Sequence, residues 1–271
     1  MNKKKRKALG QHFLKSRPVL RKIVRCINPG KKDLIIEVGA GRGVLTFPLA
    51  EKGGKIIAVE KDSTLIPYLE KIKLPNVIIL EKDILKVDFR KLIEKEKREL
   101  TSVKIVGNIP YSISSPLLFK IQAERGLFEK CIFLLQKEVA ERICAPPQTK
   151  KYAPLSIIFQ IYFRPRLHFI VSPESFSPPP QVESALLSLE EREKPVYQLR
   201  DEKEFLAYLK KIFRHRRKTI TNNLLSLGLS RALINHALEK CSLESSLRPE
   251  QLSIKKHVEL FSFLSEGLPG L

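Results

Sequence analysis

Five short apolar runs divide the first half of the chain at intervals of about twenty residues. Each run is rich in β-branched residues and is followed by a stretch with helical periodicity. The runs are residues 34–38, 55–59, 76–80, 103–107 and 131–135. Alternation of strand and helix on this scale predicts a mostly parallel sheet with helices packed on it, which is an α/β fold.

The pattern of the chain changes after Lys151. Residues 157–171 and 185–189 are predicted to be two further strands, and the proline-rich turn at residues 177–180 leaves no room for a crossover helix between them. These two strands would add an antiparallel edge to the sheet. From about Lys194 onward the apolar positions follow only a helical period, so a small all-α domain is predicted there. The expected domains are residues 1–193 and residues 194–271.

The charge of the chain narrows the class of partner. Lys and Arg number 50 against 29 Asp and Glu, which gives a formal charge of +21. This excess suits a polyanion, and nucleic acid is favoured over an acidic membrane surface. No apolar run is long enough to span a bilayer. The N-terminus also lacks the apolar stretch of a secretory signal, so we expect a cytoplasmic protein. The four cysteines are isolated from one another, and we expect no metal site.

A glycine-rich turn, residues 39–43, follows the first predicted strand and precedes a helix. Ligands of open α/β sheets bind at this place, and glycine lets the backbone approach them closely. Glu60 ends the next strand, where a carboxylate accepts hydrogen bonds from both hydroxyls of a ribose. These two features fit a dinucleotide and S-adenosylmethionine alike. Asp83, after the third strand, is placed to accept an adenine amino group, and Ile84 offers an apolar surface to the ring, so the three strand ends predict a site for adenosine.

The fourth predicted strand ends in Asn108-Ile109-Pro110-Tyr111, which is the most specific motif of the chain. The nitrogen of an adenine amino group is a poor nucleophile because its lone pair is delocalised into the ring. The side-chain oxygen of Asn108 and the carbonyl of Ile109 can accept hydrogen bonds from the N–H groups of this amine, and Pro110 fixes the turn. Tyr111 can stack on the base. Phe176 is expected either to hold the other face of the base or to be a core residue beneath a stiff hairpin.

Together these motifs resemble the small-subunit ribosomal RNA adenine dimethyltransferases over nearly the whole chain. The matching segments are residues 9–14 (LGQHFL), 37–43 (EVGAGRG), 108–111 (NIPY), 136–140 (QKEVA), 176–180 (FSPPP), 213–219 (FRHRRKT) and 222–224 (NNL), with Glu60 and Asp83. The resemblance implies a Rossmann-like class I methyltransferase sheet and a small helical C-terminal domain that contacts RNA. The large-subunit rRNA methyltransferases that confer macrolide resistance are similar in the catalytic domain but lack the basic C-terminal segment.

The resemblance also implies a cofactor, S-adenosyl-L-methionine, which leaves as S-adenosyl-L-homocysteine. By resemblance, His12 and Leu14 border its methionine and adenosine parts and Gly39 its amino-acid end. Glu60 would hold the ribose, Asp83 the adenine amine, and Asn108 both the cofactor and the target amine. We add neighbours of these positions to the expected cofactor site: Gln11, Gly41, Lys61 and Ile84. Many relatives have Asn in place of His12 and Leu in place of Ile109, which leaves the role of the His12 side chain open.

The implied substrate is a pair of adjacent adenines in the 3′-terminal hairpin loop of small-subunit (16S) rRNA, methylated as free RNA or in a late 30S-type assembly particle. The cations expected to contact RNA are Lys4, Lys5, Arg6, Arg214, Arg216, Arg217 and Lys218. Three alternatives stay open: a large-subunit rRNA methyltransferase, a DNA adenine methyltransferase, and a non-catalytic assembly or transcription factor of the same fold. A monomer without an obligate protein partner is expected because no heptad seam is present.

Overall fold

The computed structural model of the protein describes residues 11–96 and 100–267. These residues divide into two compact units. The first contains residues 11–140 and 164–191, and the second contains residues 141–163 and 192–267. The expected functional division between residues 193 and 194 remains a prediction.

The first unit is built on a seven-stranded sheet with the strand order β4-β3-β2-β5-β6-β9-β7, and a separate pair is formed by β1 and β8. The strands are β1 (Phe13–Leu14), β2 (Asp33–Val38), β3 (Lys55–Glu60), β4 (Val77–Glu81), β5 (Ser102–Asn108), β6 (Lys130–Gln136), β7 (Phe163–Val171), β8 (Phe176–Ser177) and β9 (Ser184–Glu191). Strands β2 to β6 pair in parallel, and β9 pairs with β6 in the antiparallel direction. The predicted parallel sheet with an antiparallel edge is therefore confirmed.

Helices follow the strands in the first unit and dominate the second. They are α1 (Arg17–Ile27), α2 (Thr46–Lys52), α3 (Ile66–Leu69), α4 (Phe89–Glu96), α5 (Ser114–Ala123), α6 (Lys137–Cys144), α7 (Pro154–Tyr162), α8 (Glu202–Ile212), α9 (Ile220–Leu225), α10 (Arg231–Lys240) and α11 (Ile254–Gly267). Short 3-10 turns occur at Ile84–Lys86, Tyr111–Ile113, Pro173–Ser175 and Pro249–Gln251. No helix among the described residues combines the length and the apolar character needed to cross a bilayer.

The central strands form the core of the first unit. Every residue of β2 is buried, and Ile35, Ile56 and Val106 pack in one cluster with helix α1. Strands buried on both faces read as continuous apolar runs, which is why this part of the sheet was predictable from the sequence. Because β2, β3, β4 and β5 are parallel, their carboxyl ends meet along one edge of the sheet.

The prediction of one strand over residues 157–171 is wrong in its first half, because the chain forms helix α7 before strand β7. Pro154 occupies the first turn of α7, and the Ser156 hydroxyl accepts a hydrogen bond from the Ala153 N–H at 3.0 Å. Most residues of this helix are buried on all sides. A continuous apolar run of this length fits a buried strand and a buried helix equally, so periodicity alone does not separate them.

The second unit has an aromatic and aliphatic core of its own. Phe205, Tyr208 and Leu209 of α8 are fully buried, and the Phe205 and Phe261 ring centroids lie 5.2 Å apart. The Asp201 side chain caps α8, and the Ser253 hydroxyl accepts the Lys256 N–H at the start of α11. The helical character predicted for the C-terminal part of the chain is confirmed.

Candidate active site

A cavity of about 480 Å³ opens at the carboxyl ends of β2, β3, β4 and β5. This volume lies within the range of small-molecule sites in proteins. The sequence-predicted residues that line it are Gln11, His12, Gly39, Gly41, Glu60, Lys61, Asp83, Ile84, Asn108, Ile109, Pro110 and Tyr111. The fold therefore brings the ends of four strands and the N-terminal segment into one site.

The glycine-rich turn needs glycine at its bends. Gly39 and Gly41 have φ values of +64° and +61°, a region that L side chains rarely adopt. A Cβ atom on Gly41 would also lie 3.3 Å from Cε1 of Phe13. The N–H groups of Gly39 and Ala40 both donate to the Val59 carbonyl, which ties the turn to strand β3. The backbone consequently lines the cavity without side chains in the way.

The Glu60 carboxylate is held by three backbone donors. Oε2 accepts the Gly41 N–H at 2.9 Å, and Oε1 accepts the N–H groups of Lys61 and Asp62, each at 2.8 Å. The residue is 6% exposed, so these hydrogen bonds replace the water that a free carboxylate would bind. Each carboxylate oxygen has more than one acceptor site, which leaves Glu60 able to accept further donors from a ligand in the cavity.

Asp83 and Lys61 form an ion pair on the next part of the rim. Lys61 Nζ lies 2.8 Å from Asp83 Oδ2, and Asp83 Oδ1 accepts the Leu85 N–H at 3.0 Å. The hydrogen bond from Lys61 is the main reason that the pKa of Asp83 lies below its ordinary value. The neighbouring Ile84 is buried and lines the cavity as an apolar surface. The site thus presents a carboxylate beside an apolar patch, as an amino-substituted aromatic ring requires.

The N-terminal segment closes one side of the cavity. The Gln11 amide donates to Asp62 Oδ2 at 3.3 Å, whereas its Oε1 is buried and has no hydrogen-bond partner among the described residues. The His12 carbonyl accepts a hydrogen bond from the Asn108 amide at 2.7 Å, and its ring Nδ1 lies 2.8 Å from the Pro178 carbonyl oxygen. His12 is therefore positioned by both its backbone and its ring.

The tetrapeptide at the end of β5 presents its polar groups to the cavity. Only the Nδ2 of Asn108 can donate to the His12 carbonyl, so this hydrogen bond fixes which way the amide points and leaves Oδ1 as an acceptor. The hydroxyl of Tyr111 lies 2.8 Å from the Ser184 hydroxyl, and its ring centroid lies 5.6 Å from that of His12. Burial raises the pKa of Tyr111, which keeps the phenol neutral.

Two predicted site residues lie in the core instead of on the cavity wall. The Phe176 side chain is 1% exposed and Leu14 is 7% exposed, and the two residues face each other in the β1–β8 pair. Both belong to the apolar cluster under the sheet. Of the two alternatives for Phe176, burial of its ring favours the core residue, and a contact with the base stays a prediction. Leu14 reaches a smaller hollow of about 50 Å³ behind the glycine turn.

The residues expected to contact RNA differ in their surroundings. Lys4, Lys5 and Arg6 lie outside the described residues. Of the predicted RNA contacts in the second unit, Arg214, Arg217 and Lys218 are exposed. Arg216 is half-buried, and its guanidinium donates to the Tyr152 carbonyl at 3.0 Å. Arg216 is therefore engaged by the protein itself, in contrast to its three neighbours.

Two buried polar side chains lie in segments that the sequence analysis quoted, but they were given no role of their own there. Asn223 is fully buried, and its amide donates to the carbonyls of His215, Lys218 and Thr219, which holds the basic turn in shape. Glu37 is 2% exposed within β2, where burial and the charge of Glu60 raise its pKa to about 8. An acidic residue inside an otherwise apolar strand is the sequence signal that marks Glu37. Across the described ranges, no cluster of His, Cys, Asp or Glu is suited to holding a metal ion.

Comparison with known proteins gives the family. Residues 2–265 match the model of the ribosomal RNA adenine dimethylase family. A relative from Geobacter metallireducens named ribosomal RNA small subunit methyltransferase A is 41% identical, covering 98% of this chain and 96% of its own. A protein of the same name from Streptococcus sanguinis is 40% identical, covering 97% and 93%.

Solved structures share the same fold. A dimethyladenosine transferase from Plasmodium falciparum superposes with a TM-score of 0.79 at 26% identity, covering 95% of this chain and 99% of its own. The 23S rRNA methyltransferase ErmE superposes with a TM-score of 0.70 at 22% identity, covering 93% and 99%, and it supports the fold alone. With a family match over nearly the full length and a site at the expected strand ends, this chain belongs to the ribosomal RNA adenine dimethylase family.

Proposed function

We propose that this chain transfers methyl groups from S-adenosyl-L-methionine to the N6 atoms of two adjacent adenines in the 3′-terminal hairpin loop of small-subunit rRNA. Its curated relatives named as small-subunit methyltransferases match nearly their whole length, which supports a full enzyme of this kind. The observation that carries the proposal is the Asn108 amide. Its Nδ2 is tied to the His12 carbonyl within the same cavity as Glu60 and Asp83, so Oδ1 is available to an amine.

The cavity suits the proposed cofactor. Glu60 would accept the ribose hydroxyls and Asp83 the adenine amino group, while Ile84 would cover the ring face. The glycine turn would hold the amino-acid end, since no side chain there blocks a close approach. Gln11 Oε1 is a buried acceptor without a partner among the described residues, and a donor on the cofactor would satisfy it. When bound, S-adenosyl-L-methionine supplies a methyl group on a positively charged sulfur.

The residues of the chain would then activate the target amine. Asn108 Oδ1 and the Ile109 carbonyl accept hydrogen bonds from the N–H groups of the amine. These hydrogen bonds draw the nitrogen toward a pyramidal form with a localised lone pair. Tyr111 stacks on the base, and the contact of its hydroxyl with Ser184 holds the ring in place. Catalysis rests on positioning and fixed dipoles. Methyl transfer leaves the nitrogen as a cation of the anilinium type that still carries a proton. Such a cation is strongly acidic, so its excess proton leaves to water.

The target is tested by methyl transfer in parallel assays. Labelled S-adenosyl-L-methionine is incubated with the protein and unmethylated small ribosomal subunits, large subunits or plasmid DNA, and the products are analysed as nucleosides. N6,N6-dimethyladenosine from the small subunit alone is the expected result. Label in the large subunit or in DNA would instead identify one of the two rival enzymes, and the lack of label in all three would identify a binding factor. The cytoplasmic location and the monomeric state belong to the same proposal.

The role of Asn108 is tested by replacing it with alanine. Loss of a fixed acceptor in the transition state should lower turnover by about 100-fold or more. RNA affinity should stay within about twofold, because one neutral amide adds little to a binding energy that phosphate contacts dominate. Asn235→Ala, at an exposed position of α10, serves as the control and should retain normal turnover. Near-normal methylation by the Asn108 variant would exclude the amine-activating role.

A further inference from the structure

The outer face of helix α1 carries four cations and no acidic residue. Arg17, Arg21, Lys22 and Arg25 are exposed, and we call them the α1 ridge. The opposite face, with Ile23, Val24 and Ile27, is buried in the core of the first unit. The charge bias extends along the chain, since residues 1–32 contain twelve Lys and Arg and no Asp or Glu. More than half of the net charge of +21 therefore arises in this segment.

The ridge has no counter-charge within the described part of the chain. None of its four members forms a salt bridge there. Lys22 Nζ lies 5.8 Å from the Phe169 ring centroid. Like charges three or four residues apart on a helix repel each other. The four neighbouring cations therefore do not stabilise the fold, whereas binding of an external polyanion would explain why they lie together.

The ridge begins close to the cavity. Phe13 lines the cavity, and Arg17 follows it by four residues, so an extended chain places their Cα atoms at most about 14 Å apart. The N–H groups of Lys15 and Ser16 both donate to the Ser175 carbonyl, which fixes the path between them. From Arg17 to Arg25 the helix rises about 12 Å. An RNA strand with one base in the cavity would therefore pass within reach of these cations.

We propose that the α1 ridge binds the phosphate backbone of the RNA next to the target adenines, a role that rests on the proposed function. Contacts of this kind position a nucleic acid and carry no sequence information. They hold the strand while a base leaves the stack. An anionic membrane surface fits the ridge less well, because helices that lie on membranes expose an apolar face and that of α1 is buried in the core.

Two variants with equal loss of charge test the ridge. The ridge variant carries four substitutions: R17Q, R21Q, K22Q and R25Q. The control variant carries four at exposed cations elsewhere in the first unit: K52Q, K73Q, R90Q and K95Q. Glutamine retains helix propensity, so α1 should form in both proteins, and far-ultraviolet circular dichroism checks this. The probe is a transcript of the 3′-terminal hairpin of small-subunit rRNA, with affinity measured from 50 to 300 mM KCl.

The ridge variant should bind the hairpin at least about tenfold more weakly at the lowest salt concentration. Its slope of log affinity against log salt should fall by about 0.7 for each phosphate contact removed, or about 3 in total. The control variant should stay within about twofold in affinity and keep its slope. Binding of S-adenosyl-L-methionine, measured by calorimetry without RNA, should be the same in all three proteins, which separates the ridge from the cavity.

Two outcomes would overturn the proposal. Equal slopes in the ridge and control variants would mean that the four cations act only through net charge. Retained hairpin binding, with loss of binding to vesicles of phosphatidylcholine and phosphatidylserine, would assign the ridge to a membrane surface. The proposed function is tested separately: if it is wrong, the unmodified protein transfers no methyl group. The proposal about the α1 ridge depends only on the measured binding of the hairpin.

Discussion

Glu37 makes the stability of this protein depend on pH in a direction that can be worked out from the structure. The side chain lies inside β2, between Ile36 and Val38, and its Oε2 has no hydrogen-bond partner among the described residues. Burial raises its pKa from 4.5 to about 8, and the nearby charge of Glu60 adds to the rise. Glu37 is consequently protonated in the folded protein at neutral pH.

The size of the effect follows from proton linkage. Between pH 4.5 and about 8, the folded protein keeps a proton on Glu37 that the unfolded chain has released. The free energy of unfolding therefore falls as pH rises, by about 1.4 kcal/mol for each pH unit. This contribution is fully present below pH 4.5 and is lost by about pH 8, roughly 5 kcal/mol in all.

Replacement of Glu37 by glutamine isolates this contribution. The free energy of unfolding in urea is measured for both proteins at pH 5.5 and pH 8, and the difference between them is compared at the two pH values. Contributions of other titrating groups cancel in that comparison. Relative to the unmodified protein, the variant should gain roughly 3 kcal/mol of stability between the two pH values. Glu51→Gln, at an exposed position of α2, should show no such gain.

A difference between Glu37→Gln and the unmodified protein that is the same at both pH values would refute the reasoning. It would mean that Glu37 does not change its protonation on folding in this range. A gain in the opposite direction would mean that the carboxylate is charged and partnered inside the fold.

Two further predictions concern Phe176, Arg216 and Arg217, whose surroundings only the tertiary structure shows. Phe176→Ala should lower the free energy of unfolding by about 3 to 5 kcal/mol, whereas Phe176→Leu should lose less than about 1.5 kcal/mol and keep its methyl-transfer rate. A large loss of turnover in the leucine variant would restore a contact between Phe176 and the base. Arg217→Gln should reduce the salt dependence of RNA binding by about 0.7 in slope, while Arg216→Gln should leave that slope unchanged and destabilise the second unit. An equal change of slope in the two arginine variants would show that both contact phosphate.

The sequence by itself predicted the parallel strands of the sheet and most residues that line the cavity. Continuous apolar runs marked the parallel strands, and the chemistry-bearing residues stood directly after them, as Glu60, Asp83 and Asn108 do. Because parallel strands place their carboxyl ends along one edge, residues far apart in sequence were expected to meet there. The structure brings these three side chains to one cavity together with the glycine turn.

The tertiary structure decided which side chains of the same type are free to act. Phe176 and Tyr111 are both aromatic residues within two positions of a proline, yet long-range packing buries the first and leaves the second on the cavity wall. Arg216 is engaged by a backbone carbonyl from a distant segment, and Arg217 is exposed. Residues 157–162 form a largely buried helix, although their apolar run fits a buried strand equally well. Local sequence determines which elements a segment can form and which chemistry it carries, whereas burial and hydrogen-bond partners depend on residues that meet only after folding.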